Sequence, residues 1–159
     1  MGFTLAAAQA AFPAPAMIVV AELVPQVVAW ARGPLAGIFQ GSIEHPYTTI
    51  AIADVHDMIA AAAEGYDAIL LDVDNGPDGL IQLANDRLYC DWGLRATYAA
   101  LVPGGVLAVW SSYPDEAFTK RLRSTGFAVE TMVMHGGGHE DDAPHVIWIA
   151  KRPGSSPSS

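Results

Sequence analysis

Three carboxylates, each directly after an apolar run, mark where this chain could do chemistry. Glu22 follows the run from Met17, Asp54 follows Tyr47 to Ala53, and Asp72 follows Tyr66 to Leu71. A short apolar run bounded by turn residues reads as a buried strand of a parallel sheet. In open α/β sheets the ligand lies outside the carboxyl ends of such strands. An acid after the second strand of a nucleotide-binding unit can accept hydrogen bonds from both ribose hydroxyls. One after the next strand can accept from a purine exocyclic amine, and one after the following strand faces the reacting end of the ligand. Each acid has a plainer reading: a loop charge for Glu22, a helix cap for Asp54, a solubilising loop for Asp72 and Asp74. Three in order at one sheet edge are more specific than any one alone.

The elements that must hold these acids follow from periodicity and punctuation. Residues 4–12 are Ala-rich and read as a helix closed by Pro13. Residues 25–32 read as a short helix with proline at its start, and 33–46 as a loop with a helical turn near 35–39. Val55, Met58, Ile59 and Ala62 recur at helical spacing. A long loop runs from Asp72 to about Tyr89, before a helix with Leu94, Tyr98 and Leu101 on one face. Pro103-Gly104-Gly105 predicts a turn into a strand over 106–110, and Phe118 and Leu122 a helix stopped by Gly126. Residues 128–134 and 146–151 read as strands too closely connected for a helix between them, hence an antiparallel hairpin. Strands alternating with helices imply a mostly parallel sheet built from crossovers.

At 159 residues the chain has room for one domain with a substantial core. Its 52% hydrophobic and 16% charged content suits a buried α/β sheet rather than a disordered chain. A net charge of −9 would repel nucleic acid and suits cationic ligands. The single cysteine, Cys90, excludes an internal disulfide framework and fits a reducing cytoplasm. It lacks the basic sequence neighbour that would activate a thiol. No segment is apolar enough for long enough to span a bilayer. The apolar opening has no basic start and is interrupted by Pro13 and Pro15, which argues against a signal peptide. The Pro/Gly/Ser tail 153–159 is expected to be disordered.

Taken together, Met17-Ile-Val-Val-Ala-Glu22-Leu-Val-Pro25, Ala53-Asp54, Tyr66-Asp-Ala-Ile-Leu-Leu-Asp72, Asp86-Arg-Leu-Tyr89 and Leu101-Val-Pro-Gly-Gly-Val-Leu-Ala-Val109 resemble the spermidine synthase family. More broadly they resemble the Rossmann-like class I S-adenosylmethionine (AdoMet)-dependent transferases, and the likeness runs to about Arg152. The resemblance implies an α/β Rossmann-like domain over 1–152, its mostly parallel sheet flanked by helices and ended by the antiparallel hairpin. It implies that Glu22 holds the ribose of AdoMet or decarboxylated AdoMet. Asp54 takes the adenine amino group, with Leu23 and Val55 packing on the ring. Asp72 orients or deprotonates the attacking amine, and Tyr89 lines the substrate pocket. A small amine or polyamine is the implied acceptor, with no metal, no nucleic acid and no membrane involved.

The pattern departs from the family in two places. The family loop usually reads Asp-Ser-x-Asp-Pro; by direct spacing its second aspartate falls on Asn75, and Asp74 substitutes only if the loop shifts. An amide cannot act as a general base. Secondly, the chain opens at what looks like the end of the glycine-rich cofactor loop, with Gly2 as the candidate remnant and the first central strand lacking. The strands beside that position would then need pairing from each other or from a second chain, so a homodimer is one expectation. Methyl transfer from AdoMet to a small molecule stays open as an alternative, as does a non-catalytic truncated homologue or subunit. The cluster His135, His139, Glu140, Asp141, Asp142 and His145 could ligate a metal only on a helix, which Gly136-Gly137-Gly138 opposes; a solvated hairpin loop is the better reading. Trp92, Tyr98, Trp110 and Trp148 are expected in the core.

Overall fold

The structure, a computed structural model, describes residues 2–12, 14–39, 41–72, 87–134 and 145–154. The chain divides into two compact units, Met1–Met58 and Ile59–Ser159. In the first, helix α1 (Gly2–Ala11) leads to strand β1 (Ile18–Glu22), helices α2 (Pro25–Arg32) and α3 (Ala36–Phe39), a 3₁₀ turn (Ser42–Glu44), and strand β2 (Thr48–Ile52). Strands β1 and β2 pair in parallel from Ile18–Thr48 to Glu22–Ile52. The unit's small core is Leu5, Ala31 and Ile43, with Ile18, Val20, Phe39 and Ile50 packed on it. Gln9 ties α1 across this core, its Nε2 donating to the Ser42 carbonyl at 2.7 Å and to Thr48 Oγ1 at 2.8 Å.

Helix α4 (Val55–Ala61) precedes the strands of the second unit: β3 (Tyr66–Leu71), helix α5 (Asp91–Ala100), β4 (Leu101–Ser111), helix α6 (Glu116–Thr125), β5 (Ala128–Met134) and β6 (His145–Lys151). The sheet order is β3-β4-β6-β5. Strands β3 and β4 are parallel; β6 runs antiparallel to both β4 and β5, which gives the hairpin expected at this end of the chain. Among the described residues, β1 and β3 each pair with one strand only.

The register sorts the sheet's side chains by face. Ile69, Leu71, Leu107, Val109, Val146, Trp148 and Ala150 lie on one face and are buried. They pack with Leu94 of α5 and with Phe118 and Leu122 of α6, all fully buried. Phe118 meets Trp148 edge-on at 5.1 Å, and the Trp148 indole donates to Thr119 Oγ1 at 2.8 Å. On the other face Leu70 is 45% exposed, and Trp110, Ile147 and Ile149 are half-buried.

Helix ends are closed by local chemistry. Asp115 caps α6, its Oδ1 accepting from the Phe118 N–H at 2.9 Å. Gly126 ends the same helix at φ 111°, where its N–H and that of Phe127 return to Arg123 and Leu122 carbonyls. At the end of α5, Arg152 donates to the carbonyls of Tyr98 (3.0 Å) and Leu101, pairs with Glu64 at 2.8 Å, and lies 5.0 Å over the Tyr98 ring.

Two expectations are corrected. β4 begins at Leu101, not 106: Tyr66 pairs with Leu101 and Ala68 with Val106, so Pro103-Gly104-Gly105 forms an irregularity inside a longer strand. A Cβ on Gly105 would lie 2.9 Å from the Val102 carbonyl and 3.1 Å from that of Asp67, an approach only glycine makes comfortably. Trp92 is 57% exposed, because the inward face of α5 is taken by Gly93, Leu94, Thr97 and Ala100. Trp148 does join the interior, whereas Tyr98, edge-on to Phe127 at 5.0 Å, and Trp110 are half-buried.

Candidate functional site

In the first unit the parallel register puts two of the expected acids at neighbouring strand ends. Glu22 closes β1 opposite Ile52, the last residue of β2, and Asp54 follows two residues later. The Ala53 N–H donates to the Glu22 carbonyl at 3.2 Å, which carries the pairing one step beyond the strands. Each carboxylate is oriented by its own turn. Glu22 Oε1 accepts from the Val24 N–H at 2.9 Å, and Asp54 Oδ1 accepts from the His56 N–H at 2.9 Å. The Asp54 carbonyl also accepts from Met58, opening α4. The cap reading of Asp54 is thus satisfied by one carboxylate oxygen. Leu23 is 65% exposed and Val55 half-buried. Gly2 is the first residue of α1, and a Cβ there would meet the Phe39 ring at 2.7 Å, so its small size has a packing use.

In the second unit Asp72 follows β3 directly and is exposed. Tyr89 is 3% exposed, and its ring meets Phe118 edge-on at 5.6 Å. Its hydroxyl is buried and has no hydrogen-bond partner among the described residues, an arrangement proteins seldom leave without a use. Burial first, and the Asp72 charge second, hold the Tyr89 phenol well above its ordinary pKa. At working pH Tyr89 is therefore a neutral hydroxyl, able to donate or accept, within electrostatic reach of a carboxylate.

Asp74 and Asn75 lie outside the described residues, as do His135, His139, Glu140, Asp141 and Asp142. His145 opens β6 with its ring 5.2 Å from Trp110. Among the described residues no three His, Cys, Asp or Glu side chains gather to hold a metal, and no helix is long and apolar enough to cross a membrane. Cys90 is exposed, its thiol directed at the Arg87 carbonyl at 3.4 Å. The feature least legible in sequence is Gly93, buried in α5 against the backbone of 87–88; a glycine inside a helical pattern is the only signal it gives.

No protein-family model matches the chain, and no curated protein matches it by sequence. Its fold is similar to that of a spermidine synthase solved in complex with the transition-state analogue AdoDATO. That match has 19% identity and a TM-score of 0.64, and covers 86% of this chain and 44% of that one. Spermidine synthase from Thermotoga maritima matches with 17% identity, the same TM-score and the same coverage. The N-methyltransferase NodS from Bradyrhizobium japonicum WM9 matches with 16% identity and a TM-score of 0.58, over 86% of this chain and 74% of that one. It was also solved with S-adenosyl-L-homocysteine. The chain spans less than half the length of these spermidine synthases. This likeness is one of fold: an α/β Rossmann-like methyltransferase fold, shared with proteins that bind AdoMet-related ligands.

Proposed function

We propose that the chain is an AdoMet-type alkyl transferase acting on an amine, spermidine synthase-like in using decarboxylated AdoMet, with methyl transfer from AdoMet as the second reading. The observation that carries this is a carboxylate at or just beyond the carboxyl end of each of β1, β2 and β3. In this reading Glu22 receives the ribose hydroxyls and Asp54 the adenine amino group. Leu23 and Val55 flank the ring, and Gly2 lies toward the cofactor's tail. Asp72 receives the acceptor amine, with Asp74 or Asn75 beside it and Tyr89 lining the amine's pocket.

The chemistry asked of Asp72 is modest. An alkylammonium must lose a proton before its nitrogen lone pair can attack the carbon next to a sulfonium. A carboxylate can hold the cation and accept that proton. As the C–N bond forms the C–S bond breaks, and the electron pair leaves on a neutral thioether. Pairing an anionic surface with a cationic acceptor also favours encounter.

Calorimetric titration with AdoMet, decarboxylated AdoMet and methylthioadenosine, with a parallel thermal melt, tests the reading. Binding of any of them with a raised melting temperature, weakened by Glu22→Ala and by Asp54→Ala, supports it; preference for the decarboxylated form selects the aminopropyl reading. Binding of none by a cooperatively folded chain rejects both readings and leaves a non-catalytic homologue, for which the single pairing of β1 and of β3 among the described residues is the supporting observation.

A further inference from the structure

We infer that Gly93 is a positioning residue of the amine site: its missing side chain lets the 87–88 backbone lie on the first turn of α5 and so seats Tyr89. The inference deepens the transferase reading and rests on it for its consequence, though not for its geometry. A Cβ on Gly93 would stand 1.9 Å from the Arg87 carbonyl oxygen, 2.8 Å from that of Leu88 and 3.0 Å from the Arg87 carbonyl carbon. All three are main-chain atoms, which no rotamer change can withdraw. Ordinary contact begins near 3.4 Å, so the two backbones would have to separate by about 1.5 Å, the difference from 1.9 Å.

The 87–89 segment is the side that would move. Helix α5 is held by Leu94, Thr97 and Ala100, none of them exposed, and by Arg152 at its far end. The segment opposite is three helical residues leading through Cys90 into α5, where the Leu94 N–H meets the Cys90 carbonyl at 2.9 Å. Tyr89 sits at its end, with a buried hydroxyl that has no partner among the described residues and a ring set edge-on to Phe118. A shift of the backbone beneath it displaces that hydroxyl by a comparable amount. Misplacing a substrate-positioning group by about 1 Å can cost on the order of 100-fold in rate.

The test compares Gly93→Ala, Tyr89→Phe and the double variant. The ligand-free readout is phenolate absorbance on alkaline titration, in which the difference between wild type and Tyr89→Phe isolates the Tyr89 phenol, raised by its burial. The expected result is that in Gly93→Ala, still folded by circular dichroism, this phenol ionises at a lower pH than it does in the wild type. Where the enzyme turns over, Gly93→Ala raises KM for the amine at least tenfold while nucleoside affinity stays within twofold. The double variant is then no worse than the more damaged single one, because both act through one hydroxyl. A phenol that stays masked in folded Gly93→Ala, or amine effects that multiply, overturn the inference. Should Gly93→Ala fail to fold, Leu88→Ala, which frees the same segment from its buried side, must unmask the phenol, and a phenol still masked there overturns it too. A wild-type chain without turnover counts against the transferase reading alone, since the titration still decides the role of Gly93.

Discussion

Replacing Arg152 by alanine should be among the most damaging single changes outside the apolar core. Its side chain is 17% exposed, and the guanidinium serves the Tyr98 and Leu101 carbonyls where α5 ends, the Glu64 carboxylate, and the face of the Tyr98 ring. A hydrogen bond from a charged donor is worth roughly 1.5–3 kcal/mol net. A cation at a partly buried helix C-terminus is worth up to about 2 kcal/mol, a term that overlaps the first. Glu64 is 55% exposed and adds under about 1 kcal/mol. Water replaces part of what is lost, so the net cost should be about 2–4 kcal/mol. For a unit of about 100 residues that lowers the melting temperature by roughly 10–25 °C. Arg152→Lys keeps the charge but not the planar fork and should recover less than half, whereas Glu64→Gln should cost under about 1 kcal/mol. Guanidinium titration followed by circular dichroism measures all three. An Arg152→Ala loss below about 0.5 kcal/mol, or one matched by Glu64→Gln, would refute the helix-terminal assignment.

Three further outcomes follow from geometry. Asp115→Ala removes the α6 cap and the contact to Arg121 at 3.5 Å, and should cost about 1–2 kcal/mol in the same titration, with Asp115→Asn recovering most of it. Gly126→Ala forces a side chain into a left-handed residue whose Cβ would lie 3.4 Å from the Tyr98 ring, and should cost about 1 kcal/mol. The Tyr89 phenol is raised in the folded state, so above about pH 10 the unfolded chain ionises first. The stability this group contributes is complete below that pH and falls as pH rises further, by up to about 1.4 kcal/mol per unit. Tyr89→Phe should lack that part of the alkaline decline; identical slopes in the two proteins would contradict the buried, neutral phenol.

Strand positions were legible because apolar runs ending in acids have few other uses, and the register of β1 on β2 sets Glu22 and Asp54 at neighbouring ends as the pattern implied. Helices were legible where a cap and a stop agreed, as with Asp115 and Gly126 around α6. The misses arose where a local signal was right but its context was not. Pro103-Gly104-Gly105 is a genuine break in regular geometry, yet pairing on both sides absorbs it: Tyr66 and Ala68 pair across it, and Gly104 and Gly105 exchange backbone bonds with Arg152. Trp92 looked internal by type, but the buried side of α5 is that of Gly93, Leu94, Thr97 and Ala100, and Trp92 falls outside it. The seat of Tyr89 depends on a contact between two backbones, and a glycine in a helical stretch carries no sign of which carbonyls approach it.

The antiparallel course of β6 has a practical side. Lys151 pairs with Val106, and Arg152 exchanges backbone bonds with Gly104 and Gly105 in the first half of β4; Asp72 leaves β3 beside the far end of β4, past the Leu71–Val109 pair. Whatever is joined after Arg152 therefore emerges from the opposite pole of this sheet. A purification tag, a dye or a sensor surface coupled there would leave the Asp72 end turned toward the solution, while Arg152 keeps the tether from pulling on α5.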